Sequence, residues 1–163
     1  MSGINTDHLT LDIITPTLNH LGEKYASAAA KKLMLGTALV ESNLVFLHQI
    51  GGGPARGLWQ MEPATHGNHV AWLAKAENWG LQQRIGLLLN SSYYLFISTF
   101  SQLAGNLYYA CAMARVHYWR VPSQLPDADD LYGLATYWKQ HYNTVEGKGT
   151  VTRFMQVWHD AGL

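Results

Sequence analysis

The stretch GTALVESNLVFLHQIGGGPARGLWQMEP, Gly36–Pro63, joins an apolar, helix-like run to a triple glycine and a Trp-bearing turn, and Glu41 sits where the run ends. Its reading depends on helical phase. At about 100° per residue, a position nine residues away lies on roughly the opposite side of a helix. Lys32 therefore points away from Glu41, whereas Thr37, Met34 and Ala30, at i−4, i−7 and i−11, share its side. The carboxylate lies on the apolar face and the lysines mark the solvated one. Burial there disfavours the charged form and raises the pKa, the property a general acid near neutral pH needs. The plainer alternative is a glutamate in a last helical turn that reaches solvent as the helix ends.

Helical patterns extend outward in both directions. Residues 9–22 predict a helix with Pro16 near its start or at a kink, ended near Gly22, and residues 25–43 a second, mostly buried one. Pro63 suits the first turn of a third, over 63–75. Shorter pieces are expected over 79–90 and 91–103, although SSYYLFISTF carries the aromatic and β-branched residues of a strand. Leu107, Cys111, Ala114 and Tyr118 mark one helix face. Leu131, Leu134, Ala135, Trp138 and Tyr142 keep the rhythm of another, with acids at its start and Lys139 and His141 near its end, as a helix dipole favours. Thr150 caps a last helix with Val151, Phe154, Met155 and Trp158 inward. The expected fold is a single all-α domain over 1–163, and the glycine-rich segment 51–58 leaves room for a small β-ribbon.

Composition narrows the function classes. With 48% hydrophobic and 13% charged residues the chain can fill a core. Eleven acidic residues balance eleven basic ones, which argues against a nucleic-acid partner and against docking on an anionic membrane. No apolar run reaches the length of a membrane span, so no stable membrane insertion is expected. The first residues lack a cationic and then apolar leader, and no signal peptide is read. One cysteine, Cys111, in an apolar helical context, predicts a buried inert thiol. Six Trp and nine Tyr are many for 163 residues; most must fill the core, and the remainder suit a groove that holds sugars or peptides.

Several local motifs bear on chemistry. Gly51, Gly52, Gly53 and Gly57 allow close approach of backbone to a ligand, and Gln60 offers a donor and an acceptor for a carboxyl or a sugar amide. GGGPARG lacks the Gly-Lys-Ser/Thr ending of a phosphate loop and follows a helix rather than a strand. Ser42 has no neighbouring base for a serine-hydrolase mechanism. His66 and His69 have ligand spacing but no third ligand in view, so exposed or cap-associated histidines are the better reading, and neither a metal nor a cofactor is expected.

Glu41-Ser42-Asn43, a spacer, and then Gly57-Leu58-Trp59-Gln60-Met61-Glu62-Pro63-Ala64-Thr65 resembles the soluble lytic transglycosylases of the lysozyme-like superfamily, related to goose-type lysozyme. That family has Glu-Ser, then Gly-Leu-Met-Gln and Met-Pro-x-Thr; here Trp59 replaces the Met and Glu62 is inserted. Tyr142-Asn143 matches the family's later Tyr-Asn element, and NLYYACAMARVHYW is a weaker counterpart of its Asn-x-x-x-Gly-x-x-Tyr segment. The resemblance covers roughly 36–145, and its variant form is similar to proteins of tailed bacteriophages.

The resemblance implies a lysozyme-like fold and cleavage of the β-1,4 bond between N-acetylmuramic acid and N-acetylglucosamine in peptidoglycan. Glu41 would be the general acid and then the base, with Ser42, Trp59, Gln60, Tyr142 and Asn143 about the sugar. A transglycosylase needs no second carboxylate, whereas a hydrolase does. The candidates for that second acid are Glu62, better read as a helix-start residue, and Asp127, better read as a first-turn acid. The partners implied are glycan strands and other virion proteins. The site of action is the bacterial wall, reached from the virion or, during lysis, from the host cytoplasm. A non-catalytic, wall-binding virion component with the same fold is the competing reading.

Overall fold

In the computed structural model, which describes residues 3–89, 98–143 and 147–163, the fold is mainly helical, with eight helices among the described residues. The first, α1, is continuous over 6–21, but its middle, Leu9–Ile14, is π-helical, and the N–H of Thr15 bonds the carbonyl of Thr10, five residues back. Pro16 explains the widening. It has no N–H to give, and its ring would press on the carbonyl of Asp12; a wider preceding turn accommodates both constraints without ending the helix. The sequence's choice between a start and a kink thus resolves into a π-helical segment just before the proline.

Helix α2, Ala28–Ser42, begins where Ser27 accepts the N–H of Ala30 at 3.1 Å and ends at Asn43, which is left-handed. The predicted faces hold: Ala30, Met34 and Thr37 are buried, while Lys32 reaches out to Asp129 at 3.0 Å. Helices α3, Pro63–Leu73, and α4, Trp79–Gly86, follow. The helix expected over 79–90 ends at Gly86. Of the piece expected over 91–103, residues 91–97 lie outside the described residues; the described remainder contains the start of the short helix α5, Gln102–Gly105.

Helix α6, Leu107–Trp119, is the central one. Every residue from Tyr109 to Val116 is buried, so it presents no solvated face, and it packs on α1, α2, α3 and α5. Arg115 tolerates this burial because its Nε donates to the carbonyl of Tyr25 at 2.9 Å and its guanidinium lies over Trp119. Cys111 is buried, as expected, and burial raises its thiol pKa.

Helix α7 runs over 131–143, α-helical through Leu131–Trp138 and π-helical over Lys139–Asn143. Asp130 caps it by accepting the N–H of Gly133 at 2.8 Å. Helix α8, Val151–Asp160, is capped by Thr150 and packs against both α2 and α7. The α2–α8 approach is close: a Cβ on Gly36 would lie 2.1 Å from Cζ of Phe154. The glycine is a steric requirement of that crossing.

The β-ribbon anticipated at 51–58 does not form. Isolated antiparallel bridges pair His48 with Arg56 and Arg56 with Met61, and no strand occurs among the described residues. Gly51 and Gly52, at positive φ, suit the turn between His48 and Arg56, but the chain turns again at Gly57 and Gln60, also at positive φ, so Arg56 is bridged on both sides and neither pairing lengthens into a ladder. No helix among the described residues is long and apolar enough to cross a membrane.

Candidate functional site

Glu41 is the penultimate residue of α2 and opens into a cleft of about 690 Å³. The cleft's other walls are the loop after α2 (Phe46, Gln49, Ile50), the turn Gln60–Glu62, His117 on α6, and the end of α7 with the residues that follow it. Two polar groups reach the carboxylate from α7. The indole Nε1–H of Trp138 donates to Oε1 at 2.9 Å, and the side chain of Asn143 supplies a second hydrogen bond.

The Asn143 amide has a defined orientation. Lys139, one helical turn earlier, donates to Asn143 Oδ1 at 2.9 Å and to the carbonyl of Gly147 at 2.7 Å. An ammonium can only donate, so the carbonyl end of the amide faces Lys139 and the NH₂ end is left for Glu41. The π-helical turn matters here. By adding a residue per turn it brings Asn143 to the cleft beside Trp138, where regular α-helix would have rotated it further round.

Glu41 titrates far from an ordinary carboxyl. Burial is the dominant cause and pushes its pKa from 4.5 up to about 7, against the hydrogen bonds from Trp138 and Asn143, which favour the ionised form. A carboxyl poised near neutrality, held between two donors and facing a cleft, can give a proton to a ligand and take one back.

Tyr142 and Gln60 also line the cleft. The Tyr142 phenol donates to the carbonyl of Trp59 at 2.7 Å, and burial beside Glu41 raises its pKa well above the usual phenol value. It therefore stays neutral and offers ring surface. Gln60 adopts φ 45°, and its amide nitrogen donates to the carbonyls of Gly57 at 2.7 Å and Phe46 at 3.3 Å. Asn43, Leu44 and Gln60 are the non-glycine residues at positive φ among those described, and all three border this loop. Left-handed backbone at leucine and glutamine costs on the order of 1 kcal/mol each, and the fold holds that strain next to Glu41.

Other expected site residues are placed elsewhere. Trp59 is not on the cleft floor: it is 1% exposed, and its Nε1–H donates to the carbonyl of Met34 at 3.0 Å inside the core. Its large ring fills the space beneath α2, and only its backbone carbonyl, through Tyr142, serves the site. Ser42 is likewise buried; its hydroxyl donates to the carbonyl of Ala38 and accepts the N–H of Leu44, closing the helix end. Glu62 is exposed, lines the cleft and stands at the N-cap position of α3, the helix start expected for it, without a side-chain cap bond. Asp127 is exposed ahead of α7, near the Lys32–Asp129 pair and at the other end of that helix from Asn143.

His66 and His69 are buried rather than exposed. His66 bonds the hydroxyl of Tyr109 at 2.8 Å. His69 belongs to a chain whose tautomers are determined by its ends. Arg120 can only donate, so Nδ1 of His69 accepts at 2.6 Å. Nε2 of His69 then donates to Nδ1 of His117 at 3.0 Å, and Nε2 of His117 donates to the carbonyl of His141 at 2.5 Å. Burial lowers the pKa of both rings, that of His69 to about 3, which keeps the chain neutral. His117 also packs against Tyr142, with ring centroids 4.7 Å apart. The chain thus pins the π-helical turn that presents Tyr142 and Asn143.

Sequence reasoning treated Trp138 only as part of a core stripe and did not single out His117. The available signal for Trp138 was chemical, since a buried indole N–H needs an acceptor. Comparison with family models, with curated proteins and with solved structures finds no match for this chain. What the fold and the cleft establish is a mainly helical protein that presents a largely buried carboxyl, Glu41, to a cleft.

Proposed function

We propose that this protein cleaves the β-1,4 bond between N-acetylmuramic acid and N-acetylglucosamine in peptidoglycan, as a lytic transglycosylase of the lysozyme-like type. The observation that carries the reading is the Glu41 carboxyl, with a pKa of about 7, facing the cleft between the donors Trp138 and Asn143. The sequence resemblance around Glu41-Ser42, Gln60 and Tyr142-Asn143 supplies the substrate class.

Protonated Glu41 gives its proton to the glycosidic oxygen as the C1–O bond breaks and positive charge develops at C1. The acetamido oxygen of the muramic residue closes on C1 and carries that charge. Glu41, now ionised and held by Trp138 and Asn143, takes the proton of the C6 hydroxyl. O6 then attacks C1, the acetamido oxygen leaves, and a 1,6-anhydro sugar results. No second carboxylate takes part. The resemblance also suggests where the reaction occurs, in the bacterial wall, reached from a phage virion or, during lysis, from the host cytoplasm, with other virion proteins as neighbours.

A hydrolytic route has one observation in its favour: Glu62 lines the same cleft and could activate a water. Incubation of purified protein with peptidoglycan sacculi, followed by mass analysis of the soluble muropeptides, distinguishes the routes. Anhydro-muramic ends are expected from the wild type and from Glu62→Gln, and none from Glu41→Gln, whose rate should fall by about 10²–10⁴-fold. Reducing ends, lost in Glu62→Gln, would establish hydrolysis instead. Equal release by wild type and Glu41→Gln removes Glu41 as the acid, and no release by either leaves the competing reading, a wall-binding component without turnover.

A further inference from the structure

A second pocket, of about 530 Å³, adjoins the Glu41 cleft, and Thr65 and His117 belong to the walls of both. Its character differs from that of the cleft. Lys75 and Arg120 line it, and among the described residues no carboxylate does. Among the described residues neither cation has an acidic oxygen within 4.0 Å, because the ion pair present joins Lys32 to Asp129. In a protein of zero net charge, this is a local positive concentration with no counter-ion among the described residues.

Arg120 is also held in place. Its Nη1 donates to Nδ1 of His69, which is 4% exposed, and to the carbonyl of Asn68 at 3.3 Å; its guanidinium lies 5.5 Å from the ring of Trp72. Those bonds use one nitrogen of the fork. The remaining N–H groups of a fixed, planar guanidinium are suited to a carboxylate, and its prior ordering lowers the entropic cost of binding one. Lys75 adds a second charge from the end of α3, and Trp72 supplies an apolar face.

We infer that this pocket binds the acidic peptide branch of the peptidoglycan strand whose sugars occupy the Glu41 cleft, with Arg120 and Lys75 engaging its carboxylates. The inference rests on the proposed reading of that cleft. The lactyl ether of muramic acid carries a stem peptide with free carboxylates, so a strand lying across Thr65 and His117 brings acid groups to the basic pocket. Uncharged glycan would leave the pocket empty.

Calorimetric titration of the Glu41→Gln protein, in which turnover should be slowed enough to leave the probes intact, tests this with two probes: a glycan tetrasaccharide bearing tetrapeptide stems and the same glycan stripped of its stems. The stem-bearing glycan should bind about tenfold more tightly, as expected for one or two charge-assisted hydrogen bonds. An added Lys75→Gln change, at an exposed side chain, should remove about threefold to fivefold of that advantage. Arg120→Gln should remove most of it, and Lys75→Gln, which lies outside the His69–His117 chain anchored by Arg120, should leave binding of the stripped glycan unchanged. Equal affinity for the two glycans, or an equal loss for both in Lys75→Gln, overturns the inference.

If neither glycan binds, the reading of the cleft fails, and the free tetrapeptide decides the pocket separately. Amide shifts confined to the surroundings of Trp72, Lys75 and Arg120 would retain it as a carboxylate site; no shifts at millimolar peptide would remove it.

Discussion

At the scale of the residue, Glu41 joins stability to chemistry. Its folded pKa of about 7 exceeds its ordinary 4.5, so between these values the unfolded chain releases a proton that the folded chain retains. Stability should therefore fall as pH rises through this window, by roughly 3 kcal/mol when complete. Glu41→Gln removes the ionisation and keeps an acceptor for Trp138. It should be the more stable protein at pH 8, with the difference shrinking towards pH 4.5, as denaturant unfolding at the two pH values would measure. A variant equally stable or less stable than wild type at pH 8 contradicts the burial-driven shift. Trp138→Phe makes a complementary case: losing the indole N–H removes a group that favours the carboxylate, so the alkaline limb of any Glu41-dependent activity should move above pH 7. The same change thins a buried contact with Phe154, 5.5 Å away by ring centroids, and should cost on the order of 2 kcal/mol. A pH–rate profile separates the two effects, because a packing loss alone would lower the rate without moving the limb.

Among the elements, the α2–α8 crossing determines how Glu41 is enclosed. Phe154 is fully buried and its ring occupies the notch left by Gly36, so the approach has little slack. Gly36→Ala should destabilise the fold by about 1–3 kcal/mol despite the better helix propensity of alanine. The check is a double-mutant cycle in urea with Phe154→Leu, which makes room for the new methyl; the pair should lose less than the sum of the singles. Additive losses would show that the notch is not where the strain arises. The two π-helical segments are likewise features of elements. In α1 the cause is local, the proline at 16. In α7 the turn over Lys139–Asn143 coincides with tertiary bonds, from His117 to the His141 carbonyl and from Lys139 to Gly147, and these hold an otherwise unfavourable geometry in place.

At the scale of the whole molecule, one buried helix, α6, organises the rest. It supplies His117 to the cleft and, through Arg120 just beyond its end, the fixed cation of the adjoining pocket. The predicted helices at α1, α2, α3, α6, α7 and α8 were readable because helical periodicity and caps are local: Ser27, Asp130 and Thr150 each bond an N–H three residues on. The small ribbon for which the glycines left room does not form, because a ladder needs regular backbone beyond the first bridge and the positive φ angles of Gly57 and Gln60 turn the chain away just after Arg56.

The sequence by itself determined the helical class, the solvated side of α2 marked by Lys32, and the apolar side to which Glu41 belongs, since all of these follow from short-range periodicity. It could not determine which tryptophan serves the site. Trp59, beside the glycine turn and eighteen residues from Glu41, is packed in the core, whereas Trp138, ninety-seven residues away, donates to the carboxylate. Nor could it place His66 and His69 in the interior or separate Glu62, on the cleft, from Asp127, away from it. Those outcomes depend on how α2, α6 and α7 meet. Tertiary packing decides which buried N–H finds which acceptor and how much water remains beside a carboxyl, and with it the upward shift of the Glu41 pKa.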